Sequence, residues 1–240
     1  MEYITELHCH SGEVSNCASA TAQEIVDAYC AAGYTSIVLT NHFSFYTFGY
    51  GNLQKFPGDP DSHSDKVDFF MRGYDALREA AGDRLNVIFG LELRSNTDDS
   101  DYLIYGVDEL FLRSHPDLMD MPVSGVLQEV RAAGGLLIQA HPFRNYMKVQ
   151  NPQRLDGIEV FNGCVRHDSR NDIALLWAEK FGLMMTSGSD YHHASKDRPN
   201  GGIVTDFPIT DEKQLVDVLK SKNYRLLCAG EYHIQATRKD

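Results

Sequence analysis

Short apolar runs alternate along the chain with segments whose apolar residues follow helical spacing. We predict strands at residues 4–7, 36–40, 86–93, 102–106, 136–140, 157–161 and 183–186, and a closing strand at 224–229. Helical spacing predicts helices at residues 66–81, 123–133, 171–181 and 211–221, and one more that begins at the Thr21–Glu24 capping box. This alternation of strands and helices indicates parallel β/α units.

The chain reads as one domain over residues 1–240, because it contains no linker, repeat or low-complexity tract. Barrels of alternating strands and helices commonly have this length. No run of about 18 apolar residues could cross a bilayer, and the N-terminus lacks the features of a signal peptide. Five scattered cysteines without a C-x-x-C motif are typical of reduced thiols, so we expect a cytoplasmic protein without a membrane partner.

The net charge of the chain limits which kinds of partner it can bind. A net charge of −12 argues against a surface that coats nucleic acid or an anionic membrane, and we do not expect nucleic acid as a partner. A small anionic substrate remains compatible with this charge, because bound metal cations would reverse the local field.

Five of the apolar runs end in residues that bind metals. A parallel barrel gathers its strand ends on one face, so side chains distant in sequence can surround one point there. Imidazole and carboxylate together suit a hydrolytic divalent metal site. One histidine at a strand end is more often a structural residue, but five such ends favour metal binding. The five ends carry His8 and His10, His42, Glu92, His141, and Asp190 with His192.

The first of these ends is an H-x-H motif. Side chains alternate along a strand, so both imidazoles of His8 and His10 point to the same face and can bind one metal. Cys9 lies between them and must point the other way, into the barrel wall.

The full series of motifs resembles that of the PHP family (polymerase and histidinol phosphatase domain) and spans roughly residues 4–193 in the family's order. The family's five motifs are D-L-H-x-H-[ST], T-[DN]-H, G-x-E, A-H-P and S-D-x-H. Here they appear as Glu6-Leu7-His8-Cys9-His10-Ser11, Thr40-Asn41-His42, Gly90-Leu91-Glu92, Ala140-His141-Pro142 and Ser189-Asp190-Tyr191-His192.

The resemblance implies a fold and a metal site. The fold is a distorted, TIM-like (β/α)7 barrel, with two or three divalent metal ions (zinc, manganese or iron) at its C-terminal rim. By the family pattern, a first metal is held by His8, His10, Glu92 and Asp190. Glu92 bridges to a second metal, which His141 also binds, and His42 with His192 holds a third.

Two of the family's ligands have no clean match in this chain. The family places Asp or His five or six residues after the second histidine of H-x-H, where this chain has Ser15 and Asn16. Glu13 is the nearest carboxylate and our substitute, with a plain loop glutamate as the alternative. The family also places a histidine some way after the G-x-E glutamate. Asp101 is the best local candidate for that ligand, ahead of Asp98, Asp99 and His115.

The expected chemistry follows from the metals. Two adjacent metals can clamp the oxygens of a phosphoryl group and activate a water, which describes a phosphoesterase. We expect a small phosphate monoester, such as a histidinol phosphate-like or nucleotide-like compound. His192 or Asp190 could pass a proton to the leaving oxygen. Arg144 could bind the phosphate as a fork, or could be a surface arginine that pairs with a rim carboxylate.

Three other functions compete with this one. An amidohydrolase-like enzyme would use the same H-x-H but usually needs a metal-bridging lysine at a strand end, which we do not find. A non-catalytic, metal-binding accessory module is a second alternative. A nuclease is a narrower form of the phosphoesterase, disfavoured by the acidic charge.

Overall fold

The computed structural model describes residues 1–15, 17–53, 56, 60–228 and 232–235, and its strands form one nearly closed barrel. The strand order is β11-β10-β9-β1-β2-β4-β5-β6-β7-β8, with β3 paired to β4. A bridge between Cys9 and Tyr191 brings the end of β8 back to β1. The strands are β1 Tyr3–Cys9, β2 Ser36–Leu39, β3 His42–Phe43, β4 Asn86–Arg94, β5 Asp101–Tyr105, β6 Leu136–Gln139, β7 Gly157–Asn162, β8 Met184–Gly188, β9 Gly201–Thr205, β10 Arg225–Cys228 and β11 Tyr232–Gln235.

The helices cover the outside of the barrel. All five predicted helices are present, and the Thr21–Glu24 capping box is confirmed at the start of α1. None of the helices in the described ranges is long and apolar enough to cross a membrane. The α helices are α1 Ala22–Ala31, α2 Tyr50–Leu53, α3 His63–Ala81, α4 Glu109–Ser114, α5 Val123–Ala132, α6 Asn171–Phe181 and α7 Glu212–Ser221; short 3-10 turns lie at Leu118–Asp120 and Pro152–Arg154.

The predicted strands are confirmed, but the expectation of parallel pairing throughout is corrected at β5 and at the closing strand β10. β10 is antiparallel to both β9 and β11, and β5 is antiparallel to both β4 and β6. The connection from β4 to β5, residues 95–100, is too short for the crossover of about a dozen residues that a parallel pair needs. The distorted α/β barrel is otherwise the predicted one.

The strand β9 was not predicted from the sequence. It begins with Gly201 and Gly202, which normally signal a turn, and it pairs antiparallel to β1 and β10. A side chain at Gly202 would meet the Thr5 carbonyl oxygen at 2.4 Å, and its φ is 134°. Glycine is therefore required by close backbone approach to β1 and not by a turn.

The barrel wall separates two apolar clusters. The larger one fills the barrel and the space below α5 to α7, and the smaller one lies between β1, β2 and the helices α1 and α3. Cys9 belongs to the smaller cluster, beside Ile25 and Tyr29. This confirms that it points into the wall, and it shows that the neighbouring His8 and His10 point into the barrel.

Candidate metal centre

The ends of the barrel strands bring the predicted ligands to one place. Each parallel strand delivers its C-terminal end to the same rim. β5 runs the opposite way, so it delivers its first residue, Asp101, to that rim. The side chains that meet there are His8, His10, His42, Glu92, Asp101, His141, Asp190 and His192.

Four fully or almost fully buried residues form the centre of this cluster. The Nε2 atoms of His8 and His10 are 3.0 Å apart. The Asp190 Oδ1 lies 3.4 Å from the first and 3.3 Å from the second. Glu92 presents one oxygen to each histidine, at 3.5 Å from His8 and 3.3 Å from His10. We call these four residues the inner group.

The spacing of the inner group fits a shared cation. Two ligand atoms that are each about 2.1 Å from one metal, at tetrahedral or right angles, lie roughly 3.0 to 3.4 Å apart. The quoted separations in the inner group run from 3.0 to 3.5 Å, close to this range. Two imidazole nitrogens at 3.0 Å also need either a proton or a cation between them, because lone pairs alone would repel.

Glu92 connects the inner group to a second set of ligands. Its Oε1 lies 3.1 Å from His141 Nε2, and the same nitrogen lies 3.9 Å from Asp101 Oδ2. Glu92, Asp101 and His141 thus offer ligand atoms within 4.8 Å of one another. A carboxylate that belongs to two such sets is what adjacent metals require of a bridging ligand.

A third set faces the open side of the cluster. His10, His42 and His192 offer nitrogens within 4.8 Å of one another, and the His10 ring lies 4.4 Å from His42 and 4.2 Å from His192 between centroids. The His42 side chain is 24% exposed, unlike the inner group. We call these three histidines the outer group.

Buried partners fix the orientation of the inner ligands. The Nδ1–H of His8 donates to Glu159 Oε1 at 2.9 Å, which leaves Nε2 as the atom that faces the cluster. The other Glu159 oxygen accepts from the His141 backbone N–H and from Asn162. One buried glutamate thus orients ligands from two strands.

Asp190 is held from behind by an arginine. Arg144 Nη2 donates to Asp190 Oδ2 at 2.8 Å and to Asn162 Oδ1 at 2.8 Å. Burial raises the pKa of Asp190, but His8, His192 and Arg144 outweigh it and hold the pKa well below its usual range. Asp190 is therefore ionised at neutral pH.

Two of the other central groups have the charge that metal binding requires, and the third, His8, does not. Burial lowers the pKa of His8, but Glu159, Asp190 and Glu92 outweigh it and raise this pKa well above its usual value, so the imidazole must lose a proton when a metal binds. Burial and the neighbouring His192 and His42 lower the pKa of His10 well below its usual value, so this imidazole is neutral. Burial raises the pKa of Glu92, but the nearby histidines His42 and His8 lower it by more. The pKa of Glu92 is therefore well below its usual range. A neutral imidazole beside an ionised carboxylate can bind a cation directly.

Two ligands have strained backbones. His141 has a φ of 27° and Asp190 a φ of 50°, in the left-handed region that non-glycine residues rarely adopt. Such strain persists only where the surrounding structure fixes it, and it concentrates at functional sites. Each residue lies two positions beyond the end of a barrel strand, and its side chain reaches the cluster from there.

Glu6 supports the cluster from below without joining it. Its Oε1 accepts hydrogen bonds from the backbone N–H groups of Leu7, His8 and Ser189, and its Oε2 accepts from Tyr29 Oη at 2.8 Å. This carboxylate therefore ties β1 to the loop that carries Asp190. It stands where the PHP-like motif has aspartate.

Two of the sequence-predicted residues have other roles in the structure. Glu13 Oε1 accepts a hydrogen bond from the Ala22 N–H at 2.6 Å, at the start of α1, and Glu13 lies in none of the ligand sets. The structure supports its alternative as a loop glutamate. Arg144 pairs with the rim carboxylate Asp190, which is the second of the two roles predicted for it.

Four residues were candidates for the ligand position where the family has a further histidine. Among the described residues, Asp101 alone of these four belongs to a ligand set. Arg94 holds it with two hydrogen bonds, at 2.6 and 2.7 Å. His115 instead contacts the Phe111 carbonyl and Glu129, while Asp98 accepts from Tyr102.

Sequence reasoning did not find Cys17. Desolvation raises the pKa of the Cys17 thiol, but the nearby imidazoles of His192 and His42 outweigh it and lower this pKa to about 5. The sequence carried a signal, because Cys17 lies one residue beyond the stretch where the PHP family has a ligand. The role of Glu159 needed the structure, since its position in β7 alone gives no partner.

Two cavities open beside the cluster. One of about 220 Å³ is lined by Cys17, His42, Tyr46 and Arg94, among others. The other, of about 340 Å³, is lined by Arg94, Asp101, Arg144 and Tyr146, among others. Arg94 lies between them, so the open face of the site carries arginine and has room for a small molecule.

Comparison with known proteins shows the fold. No family model matches the chain, and no curated protein matches it. A two-domain protein from Bacteroides vulgatus, which contains a predicted PHP-like metal-dependent phosphoesterase, has 17% identity and a TM-score of 0.69 over 95% of this chain and 65% of its own. This chain thus spans less than two thirds of that protein. A putative metal-dependent phosphoesterase from Bifidobacterium adolescentis has 16% identity and a TM-score of 0.54, over 90% of this chain and 95% of its own.

Endonuclease Q, in complex with a 27-mer duplex that carries an abasic lesion at the active site, has the same fold. It has 13% identity and a TM-score of 0.62, over 92% of this chain and 57% of its own. This chain therefore has the barrel fold that PHP-like phosphoesterases and this endonuclease share.

Proposed function

We propose that the protein is a metal-dependent phosphoesterase that hydrolyses a small phosphate monoester. The observation that carries the proposal is the buried cluster in which Glu92 belongs to two sets of ligands. Two metals bridged in this way suit in-line displacement at phosphorus, because they can bind both the attacking and the leaving oxygen. Histidinol phosphate-like and nucleotide-like compounds are the first substrates to test.

The proposed ligands are those that the geometry brings together. His8, His10, Glu92 and Asp190 would hold one metal, and Glu92, Asp101 and His141 would hold a second. His42 and His192 would hold a third with His10. Mixed nitrogen and oxygen ligands suit zinc, manganese or iron, and such ions polarise phosphoryl oxygens and lower the pKa of bound water. Glu13 is not among the proposed ligands, because its carboxylate accepts a hydrogen bond from the Ala22 N–H at the start of α1.

The chain's own residues would bind the phosphate and move the proton. Arg94 lines both cavities and Arg144 one of them. These guanidinium groups already donate to Asp101 and Asp190, and their remaining N–H donors would bind phosphate oxygens. Asp190 is ionised and would hold a cation or accept a proton, and it would not donate one. The Nδ1–H of His192 is fixed on the Asp190 carbonyl at 2.9 Å, which leaves Nε2 as its one available ring nitrogen. This nitrogen would either hold the third metal or, where only two metals bind, exchange the proton with the leaving oxygen.

The first test is hydrolysis of an aryl phosphate with manganese, zinc or iron, followed by histidinol phosphate and a panel of nucleotides. We expect turnover that depends on the added metal and is lost in the His8→Ala, Asp190→Ala double variant. Absence of turnover with every divalent metal, or full turnover by the double variant, would reject the proposal.

Cleavage of nucleic acid is the second candidate, favoured by the fold shared with Endonuclease Q. The net charge of −12 opposes it, because grooves that follow phosphate backbones are usually basic. Labelled single-stranded and duplex oligonucleotides decide between the two. Cleavage within the oligonucleotide, at a rate above that of mononucleotides, would favour a nuclease.

The same panel separates the remaining alternatives. An amidohydrolase-like enzyme would prefer amides to phosphates. A non-catalytic module would bind metal without turning over any ester or amide.

A further inference from the structure

An exposed aromatic ring borders the larger of the two cavities beside the cluster. Tyr146 lies in the loop after β6, two residues beyond Arg144, and both residues line the 340 Å³ cavity. Tyr146 is 91% exposed. Among the described residues, its side chain makes no hydrogen bond or ring contact, and it belongs to neither apolar cluster. Packing within the protein therefore gives no reason for an aromatic residue at this position.

The backbone of Tyr146 is also unfavourable for a tyrosine. Its φ of 72° lies in the left-handed region, where glycine and asparagine are the usual residues. A bulky side chain in this conformation costs stability, and no buried contact offsets that cost. Exposure and backbone strain together point to a role outside the folding of the chain.

Hydrogen bonds fix the loop on both sides of Tyr146. Before it, the Arg170 guanidinium donates to Asn145 Oδ1 at 2.6 Å. After it, the Lys148 carbonyl accepts from Ser100 Oγ at 2.9 Å, and the Lys148 N–H donates to the same oxygen at 3.0 Å. The backbone that carries the ring is thus already ordered, which lowers the entropic cost of binding a ligand there.

The two cavities differ in what their aromatic residues can still contact. Tyr46 lines the smaller cavity, but its ring packs edge-to-face against Phe45, with 6.1 Å between centroids. The larger cavity combines the ring of Tyr146 with the guanidinium groups of Arg94 and Arg144. Guanidinium binds phosphate, and an aromatic face stacks on another planar ring. The larger cavity therefore has the chemistry to recognise both ends of a phosphate ester that carries a ring.

We propose that Tyr146 is a specificity-determining residue that stacks on an aromatic ring in the leaving alcohol of the substrate. Phosphate monoesters that carry such a ring are then preferred over aliphatic ones. The proposal rests on the proposed function and names the part of the substrate that the chain recognises besides the phosphate. A nucleobase and an imidazole both present a planar face, and the test separates these two sources.

The test compares kcat/KM within two matched pairs of phosphate esters. Adenosine 5′-monophosphate and ribose 5-phosphate differ by the base, and histidinol phosphate and phosphoethanolamine differ by the imidazolylmethyl group. We expect Tyr146→Leu to raise KM about tenfold for the ring-bearing ester, in the lower part of the range for a base stacked on one aromatic side chain. The ester without the ring should be unaffected, and Tyr146→Phe should keep the preference. The pair with the larger loss identifies the ring.

Two further variants separate recognition from stability. Tyr146→Asn suits the left-handed backbone, so it should unfold at the same or a higher temperature than the wild type while it loses the preference for a ring. Phe207→Ala is the matched control. Phe207 is also an exposed aromatic residue, but it follows the end of β9, which pairs with Tyr3 at the opposite end of the barrel. This variant should keep the preference.

Wild-type protein that hydrolyses both members of each pair equally well would overturn the proposal and leave the phosphoesterase standing. So would a Tyr146→Leu variant that loses the same factor with both members. Saturation-transfer NMR with adenosine and histidinol, which carry no phosphate, gives a readout without turnover. Ring protons of one of them should be saturated by the wild type and not by Tyr146→Leu. Such binding in a protein that hydrolyses no phosphate ester would reject the proposed function and keep the assignment of Tyr146.

Discussion

The inner and outer groups differ in how their ligands are held. The inner group is buried in the barrel, and residues from other strands fix its ligands: Glu159 orients His8, and Arg144 holds Asp190. The outer group borders a cavity, and its His42 side chain is partly exposed. The difference indicates a rigid site that positions metals and a more accessible side at which substrate and solvent enter. Variants on each side can test this division.

The largest effect is expected from the inner group. His8→Ala removes a nitrogen that faces both Glu92 and Asp190 and leaves these carboxylates without a cation between them. We expect a loss of activity beyond about 100-fold, above the range for residues that only orient ligands. Elemental analysis should show fewer metals per chain. Unchanged metal content with intact activity would contradict a functional inner group.

Stability should depend on pH through Glu6. Burial raises the pKa of Glu6 from 4.5 to about 7, although hydrogen bonds from Ser189, His8 and Tyr29 oppose the shift. The folded state then binds this proton more tightly than the unfolded state. The associated stability is present below pH 4.5 and is lost as pH rises to about 7, by about 3 kcal/mol.

Glu6→Gln tests this sign, because its amide stays neutral at every pH. The difference in free energy of unfolding between wild type and variant, measured by urea titration of metal-free protein, should change by about 3 kcal/mol between pH 4.5 and 7. The comparison cancels the other titrating groups. A difference that is constant across this range would show that Glu6 keeps its proton affinity on folding.

Glu159→Gln should weaken metal binding through His8. The glutamine side chain has one oxygen in place of two, so its NH₂ group must take one of two positions. It would face either His8 Nδ1 or the two donors, the His141 N–H and Asn162. In the first case Nδ1 loses its proton and Nε2 gains one, which blocks the metal. We expect metal affinity to fall about 10- to 100-fold, measured by competition with a chelator.

The control for that variant is Glu79→Gln, which changes an exposed glutamate on α3. It should leave metal affinity unchanged. Equal affinities for all three proteins would show that the Glu159 contact has no role in ligand orientation.

The smallest effect is expected from the outer group. His42→Ala removes one ligand of the open side and leaves the contacts among His8, His10 and Asp190 intact. We expect activity to fall on the order of tenfold, which corresponds to about 1.4 kcal/mol of barrier. Steady-state kinetics of the two histidine variants gives the ratio directly. A loss as large as that of His8→Ala would remove the distinction between the two regions.

The sequence was sufficient to identify the ligands that lie at the ends of barrel strands. Ligands at the ends of β1, β4, β6 and β8 were found because strand ends meet on one rim. The antiparallel course of β5 was missed, yet Asp101 was still chosen, since it directly precedes that strand. The strand β9 was hidden by its two glycines, which close approach to Thr5 requires.

Side chains that act from loops or through other residues could not be placed from sequence. Glu13 is near His10 along the chain, but its carboxylate turns to Ala22 at the start of α1. Cys17 instead lines the cavity that His42 also borders, although no spacing rule distinguishes the two loop residues. The sequence left two roles for Arg144, binding of phosphate or pairing with a rim carboxylate. Only the fold shows that Asp190 is its carboxylate partner.

The most direct test of the account is the metal content and position in crystals grown without chelator. Anomalous scattering should show at least two ions per chain, one among His8, His10, Glu92 and Asp190 and a second beyond Glu92 at His141. Elemental analysis of the same material should give the same count. Crystals in which these side chains enclose no ion, from protein that elemental analysis finds free of metal, would contradict it.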